Sequence, residues 1–318
     1  PISSPATAAT VAPTTTLAGN VLGLPASRTV HLELDEELRK IIEGAERYRI
    51  LLVVSRKNFF TEMMAARLTS AHSEVLVVEG EQEAISHLTK SRPNLICLDL
   101  DLPSANKICE TIKKNRHSSL IAVIAIHGEG VKNETINLQI LPDETIVEPF
   151  ELSDLVKLAE SELARSAEER NFFEHEMRFR LQTTEDLVEQ ANDLIASALI
   201  TSGLAEEQTQ AMSVAFREAI DNAARHGNKY DEDLFIECQY IVDREKVTLT
   251  VQDDGDGFDT EIYLSRGVSG NPADTARERT QAGGHGGLGI MLMLKCVDKI
   301  EYNYAGNKIT LTKHIRKI

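Results

Sequence analysis

The stretch FREAIDNAARHGN, residues 216–228, decides the reading of the carboxy-terminal half of the chain. Phe216, Ile220 and Ala224 recur every fourth position, the stripe of an amphipathic helix turned towards a core. Glu218 and Asn222 are also four apart, so they project from one face, one turn above the other, and can serve one site. An amide oxygen suits an Mg²⁺ ion shared with nucleotide phosphates, and a neighbouring carboxylate can take a proton from an attacking hydroxyl or water. Taken alone, Glu and Asn at this spacing are usually a solvated helix face, so the pair gains meaning only beside other nucleotide-binding motifs.

Two such motifs stand downstream. The apolar run KVTLTVQD, residues 246–253, ends as DDGDGF, in which Asp253, Gly255 and Gly257 fit the pattern DxGxG. A carboxylate at a pocket edge accepts a hydrogen bond from the exocyclic amino group of adenine, which guanine does not offer in that place, and the glycines let the backbone turn close to a ligand. An Asp-Gly hairpin turn would give the same letters. Farther on, GGHGGLGIMLML (283–294) sets Gly284, Gly287 and Gly289 at the start of an apolar helix, where backbone amides and the positive helix end would face phosphates. It is neither a dinucleotide fingerprint nor a P-loop, since no Gly-Lys-Ser/Thr is present. The polar segment 265–281 between these motifs has the composition of a lid, with Arg277 and Arg279 as candidates for the γ-phosphate. His226 and His285 read as polar loop residues, because no second ligand stands at metal spacing.

In this order the three motifs resemble the GHKL superfamily of ATPases, which includes gyrase and histidine kinases, and within it the anti-sigma-factor serine/threonine kinases. The resemblance implies an α+β GHKL sandwich over 176–318, one mixed sheet with helices on one face, with ATP and Mg²⁺ as cofactors. It further implies Asn222 as the Mg²⁺ ligand, Glu218 as general base and Asp253 as adenine selector. Its implied partners are proteins, an antagonist protein carrying the acceptor serine or threonine and/or a sigma factor, and a second copy in a homodimer. A histidine kinase would need a phosphoacceptor on a helical hairpin. Only 46 residues separate the candidate His175 from Asp221, too few for that hairpin plus a strand and two helices, and Met177, Phe179 and Leu181 alternate as in a strand. A non-catalytic ATP-dependent interaction switch and an atypical histidine kinase-like ATPase that activates water at Glu218 stay open as alternatives.

Ahead of this domain, RILLVV, EVLVVE, NLICLDL, LIAVIAI and ETIVEPF alternate with amphipathic stretches, the pattern of a doubly wound α/β domain with a five-stranded parallel sheet over 49–164. It resembles the receiver domain of response regulators. Asp99 stands four residues before Pro103, as the receiver's phosphate-accepting aspartate does, and Glu148-Pro149-Phe150 matches its Lys-Pro-Phe. However, Ser55, Arg56 and Lys57 replace the acidic pair that holds Mg²⁺, Glu148 replaces the lysine and His127 the hydroxyl residue. Phosphoryl transfer to a carboxylate relies on that metal, so the reading is a pseudo-receiver used for docking, dimerisation or communication, with phosphorylation of Asp99 as its alternative.

Around these domains, residues 1–28 read as a disordered leader and 29–48 as a helix or linker with Leu34, Leu38, Ile41 and Ile42 at helical spacing. The stripe Leu152, Leu155, Val156, Ala159, Leu163, Ala167 extends the receiver's last helix towards a linker at 165–175. A formal charge of −16 over 318 residues opposes a nucleic-acid partner, and no apolar run has the length of a membrane span. Cys97, Cys109, Cys238 and Cys296 are scattered through apolar runs, which fits a reducing, cytoplasmic setting. The sequence begins at Pro1, and the identity of any preceding segment is open.

Overall fold

The structure, a computed structural model, describes residues 47–70, 72–128, 138–257 and 288–315. The expected leader and the helix at 29–48 lie outside the described residues, but for Arg47 and Tyr48. The described residues belong to one compact unit built on two sheets.

The first sheet holds β1 (Tyr48–Val54), β2 (Ser73–Glu79), β3 (Leu95–Asp99), β4 (Ala122–His127) and, past a short β5 (Gln139–Ile140), β6 (Glu144–Val147). Its order is β2-β1-β3-β4-β6 and every pairing is parallel. Helices α1 (Phe59–Leu68), α2 (Gly80–Lys90), α3 (Ala105–Lys114) and α4 (Leu152–Glu169) cover it. Ile50, Leu52 and Val54 pack with Met64, Leu68, Leu155 and Leu163 of α1 and α4, while Leu51, Val53, Ile96 and Leu98 turn to Ile108 and Cys109 of α3. Two covered faces account for apolar runs without alternation. The order reverses between β1 and β3, and Asp99 closes β3 at that switch point, where open α/β sheets bind ligands. This is the receiver fold.

The second sheet consists of β7 (Phe173–Gln182), β8 (Phe235–Asp243), β9 (Lys246–Asp253), β10 (Lys299–Tyr302) and β11 (Lys308–His314), in the order β10-β11-β9-β8-β7-β5. A mixed sheet was the expectation, yet all its pairings are antiparallel, as hairpins and sequential strands dictate. The other elements of this half are α5 (Glu185–Ile200), α6 (Glu206–Asn222), a π-helical turn (Ala223–Gly227) and α7 (Leu288–Cys296). Thr184 caps α5, its hydroxyl accepting from the Leu187 amide at 3.4 Å. On β7, His175, Met177, Phe179 and Leu181 all point inward, and on α6 Phe216 and Ile220 meet the same core. Sheet and helices form the α+β layer of the GHKL fold.

β5 is the departure from the expected plan. Leaving the first sheet after β4, the chain pairs Gln139 with Arg180 and Ile140 with Phe179 on the edge of the second, and the Leu141 amide donates to the Arg178 carbonyl at 2.8 Å. Cys109, Ile140 and Phe179 therefore belong to one continuous core. Residues 165–175 contain the end of α4, a three-residue connection and the start of β7. That stretch is pinned at both ends, by Ser166 Oγ donating to the Leu120 carbonyl (2.7 Å) and by His175 Nε2 donating to the Lys113 carbonyl (3.1 Å).

Candidate functional site

α6 and α7 lie side by side over the end of β9 and the β10–β11 turn, and a cleft opens between them. Glu218, Asn222, His226, Asp253, Gly257 and Gly289 all line it, together with the apolar Val251, Ile290, Met293 and Ile309. The lining thus combines apolar walls suited to a flat base with a few polar groups. Residues from all three sequence motifs meet here. Gly284, Gly287, Arg277 and Arg279 lie outside the described residues.

Glu218 and Asn222 are half-buried, both line the cleft, and neither side chain is hydrogen-bonded to another described residue. Beyond Asn222 the helix widens into the π turn, a device that shifts the helical register and recurs at functional sites. A Cβ added to Gly289 would stand 1.9 Å from Glu218 Oε1, so the first turn of α7 lies directly on that carboxylate with its positive end towards the cleft.

Asp253 is 8% exposed at the end of β9. Burial raises its carboxyl to about 6, against the opposing effect of the Gly255 amide, which donates to Oδ1 at 3.0 Å; Asp254 adds to the rise. The carboxylate lies on the backbone of Gly227, where a Cβ would come within 2.3 Å of its Cγ. Gly257 has φ +73° and a Cβ there would meet the Ala305 carbonyl at 1.9 Å, so this loop rests on the β10–β11 turn with no room for a side chain.

Two residues that sequence reasoning missed hold this corner. Asn307 is reciprocally bonded to Asp253: its Nδ2 donates to the Asp253 carbonyl and its own carbonyl accepts from the Asp253 amide, both at 3.0 Å. Asn228, 1% exposed, accepts from the Asp254 amide at 3.0 Å and donates to Thr183 Oγ1 at 2.8 Å and to the Phe235 carbonyl at 2.9 Å. Asn228 closes the stretch 216–228, and its position after a Gly was the one available hint.

Magnesium fits this donor set. Among the described residues no group of three or more His, Cys, Asp or Glu side chains could hold a metal by itself, and an ion carried mainly by nucleotide phosphates needs from the protein little more than a neutral oxygen such as that of the Asn222 amide.

At the receiver-like corner the Asp99 carboxylate is already occupied. Ser55 donates to its Oδ2 through both its amide (3.0 Å) and its hydroxyl (2.9 Å), and the Asp101 amide donates to Oδ1 at 2.9 Å. The Lys57 amide is taken by Glu79 at 2.6 Å. His175, 2% exposed with its ring edge-on to Tyr240, is held neutral by burial and lies inside β7.

Residues 181–313 match the family described as the histidine kinase-like ATPase domain. The serine-protein kinase RsbW of Listeria monocytogenes is 30% identical over 117 residues, covering 36% of this chain and 72% of that protein. The phosphate regulon transcriptional regulatory protein PhoB of Pseudomonas aeruginosa is 27% identical over 121 residues, 37% of this chain and 53% of that protein. Among solved structures, a signal receiver domain from Vibrio parahaemolyticus aligns over 39% of this chain and 95% of its own, at 21% identity and a TM-score of 0.33.

Proposed function

Since this chain belongs, through its carboxy-terminal domain, to the histidine kinase-like ATPase family that includes the serine-protein kinase RsbW, we propose that it binds Mg-ATP and phosphorylates a serine or threonine of an antagonist protein, or sequesters a sigma factor, under the control of a pseudo-receiver. The observation that carries this reading is the convergence of Glu218, Asn222 and Asp253 on one cleft.

Each residue has its own task. Asp253 accepts from the exocyclic amino group of adenine, with Val251 and Met293 among the apolar walls around the base. Asn222 would hold Mg²⁺ through its amide oxygen, and the ion would supply positive charge against that of the phosphates. Glu218, one helical turn away, takes the proton as the partner's hydroxyl oxygen forms its bond to the γ-phosphorus and the bond from that phosphorus to the bridging oxygen breaks, releasing ADP. Gly289 lets the positive end of α7 sit over this spot, which favours the negative charge of the phosphates.

A phosphohistidine intermediate has no support, because His175 is enclosed in a strand and points into the core. Among the described residues no helix is long and apolar enough to cross a membrane. The four cysteines are all free thiols, which supports a reducing, cytoplasmic setting for the kinase. Incubation of the full chain with γ-labelled ATP and a serine-bearing antagonist tests the reading. Label on the antagonist that is lost in Glu218→Gln, while ATP binding persists, is the expected result. No label on any partner, with partner affinity still set by ATP, would replace the kinase by a non-catalytic switch.

A further inference from the structure

The segment that follows the motif helix is held in a conformation that its residues do not favour. Lys229 and Tyr230 both have φ of 56°, in the left-handed region that residues with a Cβ seldom enter, and then singly. Just before them the π turn ends, and the amides of Asn228 and Tyr230 close on the carbonyls of Ala223 and Ala224, each at 2.8 Å. A strained crossing of this kind persists only where its surroundings over-determine it. Those surroundings centre on the Asn228 side chain, whose amide joins the end of β7 (Thr183 Oγ1), the start of β8 (Phe235 carbonyl) and the turn after β9 (Asp254 amide). Asp254 returns the bond by accepting from the Phe235 amide at 2.9 Å.

Both arms of this knot lead to one atom group. Through Gly227, its chain neighbour, Asn228 fixes the floor on which the Asp253 carboxylate lies; through the Asp254 amide it fixes the peptide that follows Asp253. We propose that Asn228 is a positioning residue for base selection: it holds Asp253 at the one place where its carboxylate meets the cleft. This rests on the reading of the cleft as an adenine nucleotide site. Asn228 itself is buried and does not line the cleft. Its removal frees the carboxylate to turn, and the interaction lost is the one specific to the amino group of adenine.

The test compares binding of ATP with that of inosine triphosphate, which carries an oxo group in place of that amino group, to the full chain, Asn228→Ala, Thr183→Val and Asp253→Asn. Thermal melting of each variant checks folding, and Thr183→Val, which removes only one of the three bonds, serves if Asn228→Ala does not fold. The wild-type chain is expected to prefer ATP by about tenfold or more, the worth of one hydrogen bond to a charged group. In Asn228→Ala that ratio falls to near one because ATP alone weakens, in Thr183→Val it falls part of the way, and adding Asn228→Ala to Asp253→Asn changes it no further. A merely structural role would weaken both nucleotides by the same factor, and that outcome, or a preserved ratio, overturns the proposal for Asn228 while leaving the adenine site intact. A wild-type chain that binds both nucleotides equally removes base selection itself, and the proposal with it.

Discussion

Gly289 and Glu218 are in contact across the two helices that form the cleft, so close that a methyl group on Gly289 would fall 1.9 Å from Oε1 and 2.6 Å from Cδ of the carboxylate. The obstructing atoms are the far end of a flexible side chain, which can swing away, whereas the backbone of α7 need not move. Gly289→Ala is therefore expected to leave folding intact, even to gain up to about 1 kcal/mol of helix propensity, while turning Glu218 out of the cleft. Phosphoryl transfer should fall by about tenfold to a hundredfold with ATP affinity almost unchanged, since a displaced base costs rate and not ground-state binding. Equal kcat in the variant and the wild type would show that Glu218 is not the base.

Asp253 carries a cost that its proposed role in base selection explains. Its carboxyl rises from the ordinary 3.8 to about 6 on folding, chiefly through burial, so between those two values the folded chain binds more protons than the unfolded one and stability falls as pH rises. Above about pH 6 the deficit is constant, on the order of 3 kcal/mol for a shift of this size. Asp253→Asn keeps an oxygen for the Gly255 amide and removes the charge. Melting curves at pH 7 should place the variant above the wild type, with the gap closing as pH falls towards 4, and ATP affinity should fall by about tenfold or more. A variant less stable than the wild type at pH 7 would contradict this account.

Ser55 bonds the Asp99 carboxylate twice, from the place where a working receiver puts acidic residues that recruit a metal. The full chain incubated with acetyl phosphate and Mg²⁺ should therefore gain no hydroxylamine-sensitive phosphoryl group by intact mass. Stoichiometric acyl phosphate on Asp99 would restore receiver chemistry and sink the pseudo-receiver.

The legible part of this molecule was whatever local spacing encodes. Glu218 and Asn222 share a face because a helix repeats every 3.6 residues, and the uninterrupted apolar strands announced a sheet covered on both sides. Asn228 and Asn307 were not legible, because their partners stand 26 and 54 residues away and a lone Asn in a loop carries no period. Nor was β5, whose two paired residues are too few to alternate and whose partner is in the other sheet. The antiparallel character of the second sheet depends on connections, which composition does not record. Lys113 stands in an amphipathic helix and is nonetheless buried, by partners that no local spacing encodes.

That lysine supports the last prediction. Lys113 is 3% exposed; its ammonium donates to the carbonyls of Ser119 (2.9 Å) and Ile121 (3.0 Å) and pairs with the carboxylate of Asp143, which also accepts from the Val123 amide at 2.7 Å. Asp143 is in turn reached by Arg165 of α4 at 3.3 Å, and its carbonyl by Arg178 of β7 at 2.7 Å, while the Lys113 carbonyl takes the proton of His175. One buried pair thus ties α3, the segment after β5, α4 and β7, elements drawn from both sheets. Removing Lys113 takes from Asp143 its enclosed partner and leaves it beside the more exposed Arg165, and Lys113→Met is expected to cost up to about 3–5 kcal/mol. Replacing both, as Lys113→Met with Asp143→Leu, should recover much of that loss, because paired apolar residues avoid the desolvation that the ion pair carries. With a continuous core through Cys109, Ile140 and Phe179, the loss should lower one shared transition in chemical denaturation, seen alike by probes in either half of the chain. Two separated transitions in the wild type, with Lys113→Met moving only the first, would mean that the halves fold independently and that the receiver half cannot act on the nucleotide cleft through this joint.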